Sequence, residues 1–140
     1  MTGPSMSPQI GELAAVALKF RSLELDSEAD LHAVMGLVKI KETVRQGRNI
    51  VDVRCSPRQL TVMLDGVACL NKRLDDGSRQ IYTFQYPGDF CDLHRYVLPR
   101  LDQTATVTAL THCSIGIIRH EDLDQMLSQS PKLALAFWRA

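Results

Sequence analysis

The chain has 140 residues, 45% of them hydrophobic, which suits one packed domain and leaves little room for a second. Sixteen basic residues balance sixteen acidic ones and the pI is near 6.9, so the chain lacks the surplus positive charge on which phosphate-dominated nucleic-acid binding depends. No stretch approaches the roughly 20 apolar residues of a membrane span, and Met1 to Ser7 has no basic cluster leading into an apolar run, so the sequence predicts a cytoplasmic protein with no membrane partner.

Ile10, Leu13, Ala14, Ala17 and Leu18 recur at helical spacing over Ile10–Phe20, and Leu31, Val34 and Met35 repeat it over Ser27–Gly36. Ser27, with Asp30 three residues on, resembles a capping box, and Gly36 is the expected stop. From Lys41 the pattern becomes short strand-like runs between turn residues: Glu42–Val44, Leu60–Leu64, Val67–Leu74, Arg79–Phe84, Thr104–Leu110 and Ser114–Ile118. That pattern predicts a β-sandwich or roll. Asp76-Gly77 is a hairpin signal, and Gly66, Gly77 and Gly88 recur every 11 residues, one strand plus one turn, which places a glycine at each corner.

His120–Gln129 returns to helical spacing through Leu123, Met126 and Leu127, and Ser130-Pro131 reads as an N-cap followed by proline at the first helical position. The helix that starts there carries Leu133, Ala134, Phe137 and Trp138 as its apolar stripe and meets no Gly, Asn or Pro before Ala140, so it is expected to be the beginning of a longer element.

Chemistry-bearing clusters are sparse. Cys55, Cys69, Cys91 and Cys113 stand at wide spacings with no Cys-x-x-Cys, the pattern of free, buried thiols. His32, His94, His112 and His120 offer no His-x-His pair of the kind a cupin-type metal site needs. There is no nucleophile elbow, P-loop or carboxylate pair with a general-base partner, and Asp75-Asp76 reads as turn chemistry. The expectation is a protein that is not an enzyme and has no assured metal or cofactor.

The order of helix, strands with regular turn glycines, then two helices resembles the effector domain of Crp/Fnr regulators and cyclic-nucleotide-binding domains over about residues 20–140. The resemblance is carried by Arg79-Gln80-Ile81-Tyr82-Thr83-Phe84-Gln85-Tyr86-Pro87-Gly88-Asp89-Phe90 with its Pro-Gly-Asp turn, by Gln46-Gly47 and Leu64-Asp65-Gly66, and by Thr104–Leu110 followed by Thr111–Ile118. It implies a mainly β fold, a double-stranded β-roll of the jelly-roll type with flanking helices. Residues 1–20 would form an N-terminal extension and helix, 21–129 the roll, and 130–140 the start of a dimerisation helix presenting Leu133, Phe137 and Trp138. In a full-length protein it implies a homodimer that reads DNA through a C-terminal domain absent from these residues.

Members that bind cyclic nucleotides grip them with Gly-Glu-Leu, a short helix, then Arg-Ser/Thr-Ala. The Arg neutralises the phosphate, the Glu accepts from the ribose, and backbone N–H groups at a helix start complete the anion site. The matching residues here are Cys91, Asp92 and Leu93, then Gln103, Thr104 and Ala105. A neutral Gln cannot make the bidentate contact of Arg, and a lost charged hydrogen bond costs on the order of 1.5–3 kcal/mol, so cyclic AMP is not expected in the usual pose.

His94, Arg95 and Arg100 lie between the cassette halves and would supply replacement charge if turned inward. His94 or Arg95 would also lower the pKa of Cys91 and sensitise it to oxidants, against the plainer reading of an inert buried thiol. Relatives that sense through an N-terminal iron–sulfur cluster need cysteines that residues 1–50 lack, while haem ligation would fall to His94, Cys91, His112 or Cys113. The favoured function is effector sensing in a transcription factor; the alternative is an orphan interaction module with no small-molecule ligand.

Overall fold

The change of sequence period at Lys41 is where the backbone passes from helix to strand. The computed structural model describes residues 8–25, 27–51, 58–93, 96 and 105–140. A single 3₁₀ turn, Ile10–Leu13, leads into α1 (Ala14–Ser22), which buries Val16 and Phe20. Helix α2 (Glu28–Gly36) starts at Ser27, whose hydroxyl accepts the Asp30 amide at 3.4 Å, as the capping pattern predicts.

Among the described residues seven strands follow: β1 (Ile40–Val44), β2 (Asn49–Val51), β3 (Gln59–Asp65), β4 (Ala68–Arg73), β5 (Arg79–Gln85), β6 (Thr106–Ala109) and β7 (Cys113–Arg119). They form two antiparallel sheets, ordered β1-β7-β3 and β2-β6-β4-β5, the two walls of the expected roll. Helices α3 (His120–Gln129) and α4 (Pro131–Arg139) close the described fold. Ser130 caps α4 by accepting the Leu133 amide at 3.3 Å, with Pro131 in the first turn.

The corner glycines have the backbone the spacing implied. Gly66 has φ +90°, and a Cβ there would stand 2.5 Å from the His112 carbonyl oxygen, so only glycine admits the β3–β4 turn against the β6–β7 turn.

Two hydrophobic clusters share β3 as a common wall. Leu60, Val62 and Leu64 face the helices, packing with Val16, Phe20, Leu31, Val34, Ile118, Leu123, Leu133 and Phe137. Met63 faces the roll interior with Val44, Val51, Ala68, Val107, Ala109, Ile115, Cys91 and Cys113. The alternation of strand side chains thus splits one sequence run between two cores.

The structure corrects the sequence at two elements. Strand β2 was not predicted, because its three residues are too few to display alternation. The buried stripe of α4 is Leu133, Ala136 and Phe137, with Ala134 half-buried, whereas Trp138 is 70% exposed. Positions i, i+3 and i+4 share a helix face, and Trp138 lies about 100° round from Phe137.

Candidate functional site

The segment that enters the roll begins at the Tyr86–Asp89 turn. Asp89 Oδ2 accepts the Tyr86 amide at 2.8 Å, and the Asp89 amide donates to the Tyr86 carbonyl at 2.9 Å. Gly88, buried and at φ +94°, donates to the Met63 carbonyl at 2.8 Å. Met63 N–H then donates to the Asp89 carbonyl, and Cys91 N–H to the Thr61 carbonyl, each at 2.8 Å. Together with the bridge between Val62 and Phe90, these bonds lay residues 88–91 alongside β3 as a short extra strand.

Alternation along that strand sorts the next side chains. Phe90 enters the helix-side core, Cys91 turns into the roll interior, and Leu93 packs back against the helix-side core. Asp92, 5% exposed, accepts the Thr61 amide on Oδ1 at 2.7 Å. A charge-assisted bond of this kind satisfies a backbone donor that the ladder leaves over. The Asp92 carboxylate is therefore engaged with β3.

Cys91 is 2% exposed. Burial, then the negative charges of Asp92 and Asp89, push its thiol pKa well above the ordinary value. Burial also raises the Cys113 pKa. Both thiols are therefore held protonated at neutral pH. The facing wall supplies Val51, Ala68, Val107 and Ala109, with Leu70 packed against them, and Ala105, half-buried, leads into β6. The described interior of the roll is accordingly mainly apolar, with the buried Thr61 on the Met63 face of β3 and the buried Gln85 opposite Ala68 as its polar side chains.

Four of the six cassette residues, Cys91, Asp92, Leu93 and Ala105, are thus placed. Gln103 and Thr104 lie outside the described residues, as do His94, Arg95 and Arg100. Of the dimer-helix residues, Leu133 and Phe137 are committed to the chain's own core and Trp138 faces outward.

Sequence reasoning missed the contacts that tie this segment to the helices. Phe90 meets Phe137 of α4 with ring centroids 5.4 Å apart and Phe20 of α1 at 5.9 Å, and Phe20 meets Phe137 at 4.9 Å. Tyr96 donates its hydroxyl hydrogen to Asp124 of α3 and sets its ring edge-on to His120 at 4.8 Å. The one available signal was that only four phenylalanines occur in the chain, three of which converge here. Among the described residues, no helix is long and apolar enough to cross a membrane.

Residues 36–130 match the family model described as cyclic nucleotide-binding domain. No protein in a search of curated sequences matches. Among solved structures, the N-terminal domain of a transcriptional regulator from Streptomyces coelicolor A3(2) is 21% identical with a TM-score of 0.69, covering 88% of this chain and 87% of that one. The Thermus thermophilus catabolite activator protein is 14% identical with a TM-score of 0.67, over 81% of this chain and 51% of that one. The regulatory domain of Toxoplasma gondii PKA, solved with cAMP, is 16% identical with a TM-score of 0.68, over 85% of this chain and 46% of that one. The chain thus spans about half the length of the latter two. At such identities the likeness is one of fold, and the fold is that of the effector domains named from the sequence.

Proposed function

Since this chain belongs to the cyclic nucleotide-binding domain family, we propose that it is the effector-sensing domain of a Crp/Fnr-type transcription regulator whose cassette has lost the usual grip on cyclic AMP. The observation that carries this reading is Asp92, buried with its carboxylate on the Thr61 amide at 2.7 Å. Moving that carboxylate off β3 to reach a ribose hydroxyl would strip a buried backbone donor of its partner, at a cost of about 1–3 kcal/mol. Gln103 at the position of the phosphate-binding Arg works in the same direction.

The effector is then a molecule recognised without the standard pair of contacts, in a roll whose described walls are mainly apolar. Occupancy would move the segment after Phe90, and the aromatic contact of Phe90 with Phe137 carries the change to α4. Pairing of subunits through α4 would use Leu135 and Trp138, which are 49% and 70% exposed, with DNA contact made by a domain outside these residues.

Thermal unfolding against cyclic AMP, cyclic GMP, cyclic dinucleotides, 2-oxo acids and haem tests the reading. A ligand at 100 times its Kd adds about 2.7 kcal/mol, worth several degrees in a domain of this size. The expected result is a shift with a compound other than cyclic AMP. A full shift with cyclic AMP sinks the lost-grip reading, and a flat panel favours a ligand-free interaction module.

A further inference from the structure

Helix α2 ends on Gly36, the residue that the sequence marks as its stop. A stop glycine normally supplies left-handed backbone. Gly36 is not among the positive-φ glycines, however, and Leu37 after it stays right-handed at φ −70° and ψ −26°. The amides of Leu37 and Val38 close the helix on the Val34 and Met35 carbonyls, each at 3.1 Å, which any residue at position 36 would permit. Packing does not require glycine either, because a Cβ on Gly36 would meet nothing within 4 Å. Glycine weakens a helix relative to alanine, so what remains as its structural effect is the open space that a side chain would have filled.

That space belongs to a cleft of about 570 Å³ between α2 and α3, outside the roll. The size is that of a small-molecule site. Its walls include Ala33, Gly36 and Leu37 of α2 and Asp122 and Met126 of α3, set at the i, i+3 and i+4 spacings that turn one helix face to a neighbour. Leu37 and Leu133, both buried, and the partly buried Met126 make its floor apolar. At one end Lys39 Nζ lies 3.3 Å from Asp122 Oδ2, with the two side chains 62% and 25% exposed. An ion pair so open to water holds its partners weakly, and each charge can turn to a ligand.

We propose that this cleft binds a free amino acid with a large apolar side chain. The α-carboxylate meets the Lys39 ammonium, the α-ammonium meets the Asp122 carboxylate, and the side chain lies over Gly36 on the apolar floor. A ligand with a single charge takes one member of the ion pair and strands the other, whereas a zwitterion answers both. The site stands apart from the roll, so its occupancy is independent of whether the roll holds an effector.

The test is an amide NMR titration of the whole 140-residue chain with L-phenylalanine and L-leucine. The comparison compounds are 3-phenylpropanoate, which lacks the amine, and 2-phenylethylamine, which lacks the carboxylate. Saturable shifts are expected in residues 32–39 and 122–133 and not across β4, β5 and β6, with L-phenylalanine bound about tenfold more tightly than either analogue. Gly36→Met, whose side chain would occupy the cleft, should abolish the shifts without lowering Tm. Asp122→Asn should weaken L-phenylalanine about tenfold and leave 3-phenylpropanoate bound no more weakly than before. The absence of saturable shifts with both amino acids overturns the proposal, as do shifts confined to the roll strands. Analogues that bind as tightly as L-phenylalanine, or undiminished binding by either variant, overturn it as well.

Discussion

Glu24 is the one non-glycine among the described residues in left-handed backbone, at φ +69°. It ends α1, where the amides of Glu24 and Leu25 return to the carbonyls of Arg21 and Phe20 at 3.1 Å, a closure that glycine usually makes. The conformation costs a residue with a Cβ about 1–2 kcal/mol, and glycine's greater unfolded freedom offsets about 0.5–1 kcal/mol of that. The exposed pair with Arg139 adds little. Glu24→Gly should therefore raise stability by up to about 1 kcal/mol, read as a higher urea midpoint at unchanged slope. Gly88→Ala should do the opposite. Positive φ and the Ala15 carbonyl 2.7 Å away together cost about 2 kcal/mol or more, measurable as a lower Tm.

Cys91 gives a pH prediction at the same scale. Its folded pKa lies well above the ordinary 9.0, so the folded chain keeps a proton that the unfolded chain releases. The associated stability is complete below about pH 9 and declines as pH rises past the unfolded value. Denaturant midpoints at pH 8 and pH 10 should show the fall, and replacing Cys91 with Ser should reduce that pH sensitivity. Thiol labelling of native protein at pH 8 should leave Cys91 unmodified, whereas rapid labelling would revive an oxidant-sensing role.

Among the elements, α4 depends on its start. The Ser130 hydroxyl accepts the Leu133 amide at 3.3 Å, and Ser130→Ala should cost about 1 kcal/mol, seen as lower helical ellipticity and earlier thermal unfolding. The Ser-Pro signature made that boundary readable in the sequence, as Ser27 did for α2. On α4 the angle of Trp138 round the helix sets it apart from Leu133 and Phe137, which pack into the chain's own core. Ile81, Tyr82 and Phe84 are about half exposed despite strong β propensity, because β5 is a sheet edge paired only with β4 among the described residues. Sequence period marks a strand but does not say whether another strand will cover it.

At the scale of the whole molecule, the roll, its corners and its flanking helices were legible because local signals recur: turn glycines at equal spacing, caps, and changes of period. The site was legible only where it coincides with a motif. Cys91, Asp92 and Leu93 could be placed by resemblance, but the bond from Asp92 to Thr61 joins residues 31 apart in sequence. The Phe20–Phe90–Phe137 contact spans still more chain. Pairings of this range arise from topology, and no local pattern announces them.

Strand β3 has five successive buried residues, Leu60 to Leu64, and neither of its faces reaches water over that span. It therefore offers no interior position where a charge can be accommodated, and its two sets of side chains answer to different tasks. Damage at Val62 or Leu64 should loosen the helices while leaving the roll interior packed. Damage at Met63 should disturb the roll interior while leaving the helices seated. A single stretch of five residues thus divides its support between two cores, one residue apart.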